Sequence, residues 1–318
     1  MALAQARALG VNSLRVNLPW AGVLGKQAKA ARKPKRLRYN FAAYDALVNQ
    51  ARPYGIRVQF TLWGPAPRWA TGNHKVGLYA PSPGQFAAFA QTVARHFRGR
   101  VNRYSIWNEP NWHSFFPPMR TAISRYRTLY RAGYKAVKRG NGRAQVLFGE
   151  LAPVGTRGKA IAPLRFLRSV AYRGARLKAN GIAQHVYDFA HAPSFRRTPK
   201  DTVTVGTIGR LVGTLNQLKA AKALSTPSGR PLDIYGTEFG YFATGRRSKP
   251  AATRAAWTTQ GFAIMRANPR VRQMTYYMLV EQYGVGWNTG LMPQAGPAPV
   301  FTALAQWTAG QRAAGLLR

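Results

Sequence analysis

Carboxylates are rare in this 318-residue chain, and most of them fall where short β-prone runs end. In RYSIWNEPNW, residues 103 to 112, Glu109 follows Asn108, and Pro110 then stops regular structure. Carboxylates at such positions can serve as general acids, general bases or nucleophiles. Lys and Arg number 48 against 8 acids, so a set of acids kept at strand ends indicates function rather than surface scatter. The set comprises Glu109, Glu150, Asp188, Glu238 and Glu281.

The elements that would position these acids alternate strictly along the chain. Seven β-rich runs, each followed by a helix with apolar residues at three- and four-residue spacing, predict seven βα units. Several runs are apolar on both faces, which is typical of a parallel sheet covered by helices. The runs span residues 12–18, 56–63, 103–107, 145–150, 182–188, 232–239 and 273–280. The pattern predicts an α/β fold of the (β/α)8 TIM-barrel type with only seven βα units evident, in one catalytic domain over residues 1–318.

The first segment, MALAQARALG, reads as a short amphipathic helix rather than a signal peptide. This helix would follow a first strand, so we expect a barrel truncated N-terminally at strand one. An open barrel exposes two strand edges, which favours self-association or pairing with another chain. No apolar run reaches the roughly 18 residues that a membrane span needs.

In a (β/α) barrel the carboxyl ends of the strands carry the active site, so the five acids would share that rim. Other interpretations remain open for several acids. Asp188 and Asp201 could be loop or helix-capping residues. Glu150 and Glu281 could instead be ion-pair partners of Arg or Lys.

Five segments together resemble clan A glycoside hydrolases of families 39 and 5. IWNEPNW resembles the strand-four signature, in which an Asn-Glu pair ends the strand, and YGTEFGY resembles the strand-seven signature, which ends in a second Glu. SLRVNLPW is similar to the strand-two segment that carries an Arg, TLWGPAPRWA to strand three, and QHVYD to a strand-six His-x-Tyr. These segments occur in the family's order from residue 13 to about residue 290.

The resemblance implies a retaining glycoside hydrolase that cleaves a β-linked glycan by double displacement. Glu109 would be the acid/base and Glu238 the nucleophile. Retention requires one carboxylic acid to protonate the leaving oxygen and a carboxylate about 5–5.5 Å away to attack the anomeric carbon. Strands four and seven lie on opposite sides of a barrel, so their terminal glutamates can face each other across a sugar.

The resemblance also implies a set of substrate-binding residues. Asn108 would bond the sugar 2-hydroxyl, Arg15 would reach toward the nucleophile, and His185 and Tyr187 would share one strand face near it. Tryptophans would stack on sugar rings, although each taken singly is more typical of core packing. The set comprises Arg15, Asn108, His185, Tyr187, Trp63, Gln282 and Trp287.

The substrate and two alternative functions stay open. Strand eight presents Glu281 and Gln282 where family 5 presents a Trp, which leaves the sugar unassigned. A barrel that binds carbohydrate without cleaving it is one alternative, and a basic barrel that binds nucleic acid or another polyanion is the second. The net charge of +40 is spread over every helix, with one cluster at residues 26–38, so nucleic acid is not expected as the primary partner.

The remaining sequence features set expectations about cofactors and location. The five His residues show no metal-ligand spacing, cysteine is absent, and no phosphate-binding glycine loop occurs. We therefore expect no metal and no cofactor, and an oligosaccharide or polysaccharide as the substrate. The resemblance suggests a secreted, extracellular protein.

Overall fold

One curled parallel sheet organises the chain. The computed structural model describes residues 2–281, 287–293 and 298–317. Seven strands form the main sheet in the order β1-β2-β3-β4-β6-β8-β9, and β5 pairs with β7 in a separate two-stranded sheet. The strands are β1 (Ser13–Pro19), β2 (Arg57–Trp63), β3 (Arg103–Ile106), β4 (Gln145–Leu151), β5 (Leu177–Lys178), β6 (Gly181–His185), β7 (Leu224–Ser225), β8 (Ile234–Glu238) and β9 (Val271–Met274).

Helices follow the strands of the main sheet and cover its outer face. The α-helices are α1 (Ala2–Ala8), α2 (Trp20–Leu24), α3 (Ala42–Ala51), α4 (Pro83–His96), α5 (Ala122–Gly140), α6 (Pro163–Val170), α7 (Ile208–Ala220), α8 (Ala251–Ala267) and α9 (Pro299–Ala313). Short 3-10 helices span Gly25–Lys29, Arg52–Tyr54, Arg68–Ala70, Met119–Thr121, Arg173–Ala175 and Val205–Thr207. No helix in the described ranges combines the length and apolar character that a membrane span requires.

The predicted barrel-type fold with seven βα units is confirmed. Each predicted strand overlaps a strand of the main sheet, and every neighbouring pair in that sheet is parallel. The last strand was predicted too far along the chain, because it ends at Met274 rather than residue 280. Beyond Met274 the apolar residues continue, and the N–H of Tyr277 still donates to the Phe239 carbonyl. These residues do not extend the regular ladder with β8. The extent of the domain stays a prediction.

Side chains alternate between the inside and the outside of the curled sheet, as the pleat requires. On the outside, Tyr126 of α5 packs edge-on against Phe148 of β4, with ring centroids 5.3 Å apart. On the inside, Leu147, Ala183 and Tyr235 form a small apolar cluster below the carboxyl ends of the strands. Polar side chains share this lower interior, because the buried Gln59 of β2 donates to Ser105 of β3, and Arg103 of β3 lies over the ring of Tyr235.

Candidate active site

Four titratable side chains meet at the carboxyl ends of four strands. Glu109 follows β3, Glu150 lies in β4, His185 ends β6 and Glu238 ends β8. Together with Arg15 of β1 they form a contact network, called here the rim cluster. The φ angles of Glu109 and Glu150 are +40° and +63°, in the left-handed region that non-glycine residues adopt at a cost of about 1–3 kcal/mol. Strained backbone of this kind is concentrated at functional sites.

Glu238 is held by three neighbours. Arg15 Nη1 donates to its Oε1 at 2.6 Å, and the hydroxyl of Tyr187 donates to its Oε2 at 3.0 Å. His185 Nδ1 lies 3.4 Å from the same Oε2. The side chain keeps 12% of its surface exposed, so the carboxylate is fixed in orientation and still accessible to a substrate.

Glu109 and Glu238 both lie next to the imidazole of His185. His185 Nδ1 lies 2.8 Å from Glu109 Oε1. These contacts place Glu109 Oε1 and Glu238 Oε2 no more than 6.2 Å apart, the sum of 2.8 and 3.4 Å. Burial raises the pKa of Glu109, and the negative charge of Glu238 adds to the rise, while His185 and Arg15 oppose it. The two carboxyl groups therefore differ in what surrounds them, and burial biases Glu109 toward the protonated form.

Glu150 is a third carboxylate, buried beneath the other two. Its side chain has no exposed surface; Oε1 lies 3.1 Å from Arg15 Nε and Oε2 lies 3.2 Å from His185 Nε2. Hydroxyls of Thr61 and Thr237 also donate to it. Burial would raise the pKa of Glu150, but Arg15 and His185 outweigh that effect and lower the pKa to about 2. Glu150 thus carries a permanent negative charge that holds both cations in place.

The imidazole of His185 lies among these three carboxylates. Burial alone would lower the pKa of His185, but Glu238, Glu109 and Glu150 together raise it to about 9. Both ring nitrogens face carboxylate oxygens, which is the arrangement that suits a doubly protonated imidazolium. Two cations, Arg15 and His185, thus face three carboxyl groups in the rim cluster.

This charge arrangement predicts a pH-dependent stability. The pKa of His185 is about 9 in the folded chain, above the value of about 6.5 for a free imidazole, so its stabilising contribution is fully present below about pH 6.5 and is lost as the pH rises through about 9. We expect the free energy of unfolding, measured by urea titration, to fall by about 3 kcal/mol across that window. His185→Gln should lose most of this pH dependence. Equal pH slopes in the two proteins would contradict the assignment.

Arg15 also orients Asn108. Arg15 Nη2 donates to Asn108 Oδ1 at 2.7 Å, which leaves the amide NH2 of Asn108 as the group that can donate to a ligand. Arg15 also contacts Glu238, so the amide of Asn108 lies one guanidinium away from that carboxylate. One guanidinium therefore sets the positions of Glu238, Glu150 and Asn108.

The tryptophans predicted to contact substrate differ in their surroundings. Trp287 is 40% exposed, and its ring packs against those of Tyr187, Phe189 and Phe242 at centroid distances of 5.7, 5.0 and 5.0 Å. It therefore lies one ring away from Glu238. Trp63 ends β2 on the same rim, half-buried against Phe115, and none of the contacts found among the described residues joins it to the rim cluster.

The remaining residues singled out in the sequence lie in different surroundings. Gln282 lies outside the described residues. Asp188 pairs with Arg197 and His191, and Asp201 pairs with Arg168, as expected for loop carboxylates. Glu281 lies seven residues beyond the end of β9, so the sequence placed it wrongly at a strand end. Its backbone N–H donates to the Met292 carbonyl, and the side chain is buried.

Glu150 is the functional position that the sequence analysis did not assign to the site. The ion pair predicted for it is found, with Arg15 as the partner. Its second contact, to His185, depends on how far the sheet curls, and no local pattern carries that information. In the described parts of the chain, no group of three or more His, Asp or Glu side chains is arranged to hold a metal ion. The expectation that no cofactor is needed stays a prediction.

The sequence matches no family model and no curated protein. Solved structures, in contrast, match over nearly its full length. A family 39 glycoside hydrolase from the gut symbiont Bacteroides cellulosilyticus WH2 aligns with a TM-score of 0.75 at 18% identity, over 97% of this chain and 60% of its own. A monomeric beta-xylosidase from Caulobacter crescentus CB15 aligns with a TM-score of 0.62 at 17% identity, over 96% of this chain and 64% of its own.

Native xylanase 10B from Thermotoga maritima aligns with a TM-score of 0.60 at 17% identity, over 98% of both chains. The chain thus spans about 60% of the length of the family 39 structure from Bacteroides cellulosilyticus. At identities this low the comparison concerns the fold. The chain has the barrel-type fold of these glycoside hydrolases, with family 39 enzymes among its structural neighbours.

Proposed function

We propose that this protein is a retaining glycoside hydrolase acting on a β-linked glycan, with Glu109 as acid/base and Glu238 as nucleophile. The observation that carries the proposal is the shared contact of both carboxyl groups with His185 Nδ1. It brings two carboxyl groups in different environments to one accessible rim. Xylosidase and glucosidase neighbours of the same fold support the reaction class.

The separation of the two carboxyl groups supports retention over inversion. Inverting enzymes keep their carboxyl groups about 6.5–9.5 Å apart to admit a water, whereas retaining enzymes hold them about 5–5.5 Å apart. The upper limit of 6.2 Å between Glu109 Oε1 and Glu238 Oε2 falls below the inverting range. A sugar between the two groups would therefore be attacked by Glu238 itself.

The rim cluster suits both steps of a double displacement. In the first step, the Glu109 carboxyl protonates the glycosidic oxygen while Glu238 attacks the anomeric carbon and forms an ester. In the second step, the Glu109 carboxylate takes a proton from water, which attacks the same carbon and releases Glu238. Glu109 gains negative charge as Glu238 loses its own, so the total charge beside Arg15 and His185 stays constant in the glycosyl-enzyme intermediate.

The other rim residues would bind and orient the sugar. The amide NH2 of Asn108, oriented by Arg15, would donate to the 2-hydroxyl, a contact that strengthens as the ring flattens in the transition state. Trp287 presents an exposed indole one ring away from Glu238 and would stack on a sugar face. Secretion and an extracellular site of action stay predictions.

Proton NMR of the products tests reaction class and stereochemistry together. The protein is incubated with aryl β-xylosides and β-glucosides and with short xylan and glucan oligomers. We expect the β-anomer of the product to appear first, followed by slow mutarotation. First appearance of the α-anomer would contradict retention. Absence of hydrolysis of every substrate would contradict the enzymatic function and favour a carbohydrate-binding or polyanion-binding barrel.

A further inference from the structure

The main sheet has two edges that face each other. Strands β1 and β9 are the first and last strands of the sheet, so each has only one neighbouring strand in it. Their residues are mostly half-buried or exposed, whereas those of the inner strands β4 and β6 are almost completely buried. The sheet curls so far that Ser13 Oγ of β1 lies 3.5 Å from Gln273 Oε1 of β9. Two strand edges therefore face the same gap, each with backbone groups directed away from its single paired neighbour.

A cavity of about 690 Å³ lies along this gap. Its outer wall is largely apolar, with Leu9, Phe262, Leu304 and Trp307 from the N-terminal segment and from α8 and α9, although Arg266 and Arg312 of these helices also line it. Its inner wall carries the polar residues Ser13, Arg103 and Gln273. An apolar wall on one side and a polar wall on the other match the two faces of an extended strand, whose side chains alternate.

The lining of the cavity is basic, and part of its charge is already balanced: Arg15 pairs with Glu150 and Glu238, and Arg272 pairs with Asp233. Six arginines line the cavity, and its described lining holds no acidic residue. Arg103 donates to Gln145 and Gln273 and lies 4.5 Å over the ring of Tyr235. Burial lowers the pKa of Arg103, and the positive charge of Arg57 lowers it further, although Tyr235 opposes this. In the part of the chain that the structure describes, no ion pair joins Arg103, Arg57 or Arg266 to a carboxylate.

We propose that this gap binds an extended acidic peptide segment of a partner polypeptide, which adds as a parallel strand between β1 and β9. Strand addition satisfies the backbone groups of both edges, and pockets for alternate side chains give specificity. Outward apolar side chains of the peptide contact Leu9 and Leu304, and an inward carboxylate pairs with Arg103. A second copy of this chain is a poor occupant, because it carries 48 basic residues against 8 acidic ones.

The test uses fluorescein-labelled heptapeptides, matched in length to the seven residues of β1. The first is Val-Glu-Val-Thr-Val-Ser-Val, with the acid at the inward position nearest Arg103, and the second carries Lys in place of Glu. By fluorescence anisotropy we expect the Glu peptide to bind about tenfold or more tightly than the Lys peptide, because only the carboxylate neutralises the inner wall. Hydrogen exchange should slow in both Ser13–Pro19 and Val271–Met274 on binding.

A matched pair of variants separates the gap from the general charge of the protein. Arg103→Gln should remove the preference for the Glu peptide, whereas Arg139→Gln, an exposed change of the same charge on α5, should leave it intact. If Arg103→Gln does not fold, exchange protection of both edges in the parent protein decides the question. Equal affinity for the two peptides, protection of neither edge, or self-association without peptide binding would overturn the proposal. These results are distinguishable from a failure of the glycosidase assignment, because peptide binding and hydrolysis are measured separately and Glu109 and Glu238 lie outside the gap lining, although Arg15 of the rim cluster borders it.

Discussion

Replacing Glu238 with Gln is expected to lower kcat on aryl β-glycosides by about 10⁴-fold or more. Gln has nearly the same shape, so it can keep a contact with Arg15 and Tyr187, but it cannot form the glycosyl ester. The loss should be independent of the leaving group, because the nucleophile is required whether or not that group needs a proton. Steady-state kinetics with a dinitrophenyl and an alkyl glycoside measure this directly.

Glu109→Gln should behave differently. A dinitrophenolate leaves without protonation, so the first step should proceed near its normal rate, and the second should slow by about 10²–10⁴-fold for want of a general base. The expected result is a burst of one dinitrophenol per active site, followed by slow turnover. Alkyl glycosides, whose leaving oxygen needs the proton, should show no burst and a large loss of rate.

The control for both variants is Asp233→Asn. Asp233 precedes Ile234 at the opposite end of the same strand as Glu238 and pairs with Arg270 and Arg272 at the surface. The Asp233→Asn substitution removes one negative charge and does not alter the rim cluster, so the activity should stay within about twofold of that of the parent protein. Comparable losses in all three variants, or an unchanged rate in Glu109→Gln and Glu238→Gln, would contradict the assigned roles.

Glu150→Gln is expected to destabilise the fold by about 3–5 kcal/mol, the usual cost of removing one partner from a buried ion pair. The side chain has no exposed surface and lies against both Arg15 and His185, so the variant leaves two buried cations short of one counter-charge. The pKa of His185 should fall, because one of the carboxylates that raise it is gone. Urea denaturation measures the stability, and NMR titration of the imidazole measures the pKa.

Asp201→Asn is the matched control, since its ion pair with Arg168 is about one-third exposed on the Asp side and should contribute no more than about 1 kcal/mol. A positioning role for Glu150 also predicts a changed pH–rate profile, because the charge on His185 bears on Glu109. If Glu150→Gln lowered stability but left the pH–rate profile and the pKa of His185 unchanged, Glu150 would be a structural residue alone.

The sequence predicted the elements well because the signals for them are local. Apolar spacing in α4 and α5 marks one buried face, and clusters of β-branched and aromatic residues mark the strands. The strand β9 was the exception. Its apolar run continues to residue 280, but the ladder ends at Met274, because pairing depends on the neighbouring strand rather than on composition.

The amino-acid sequence by itself determined that Glu109, Glu150 and Glu238 stand at or next to strand ends, because each follows a local β-prone run, although it placed Glu281 there wrongly. Only the tertiary structure decided which of them meet. Arg15 and Glu238 are 223 residues apart in sequence, and they touch because the sheet curls until its first and penultimate strands converge. The same curvature places Glu150 next to His185 and leaves a basic gap between β1 and β9. The curvature of a sheet is the sum of many small strand twists, and no single segment of the sequence encodes that sum.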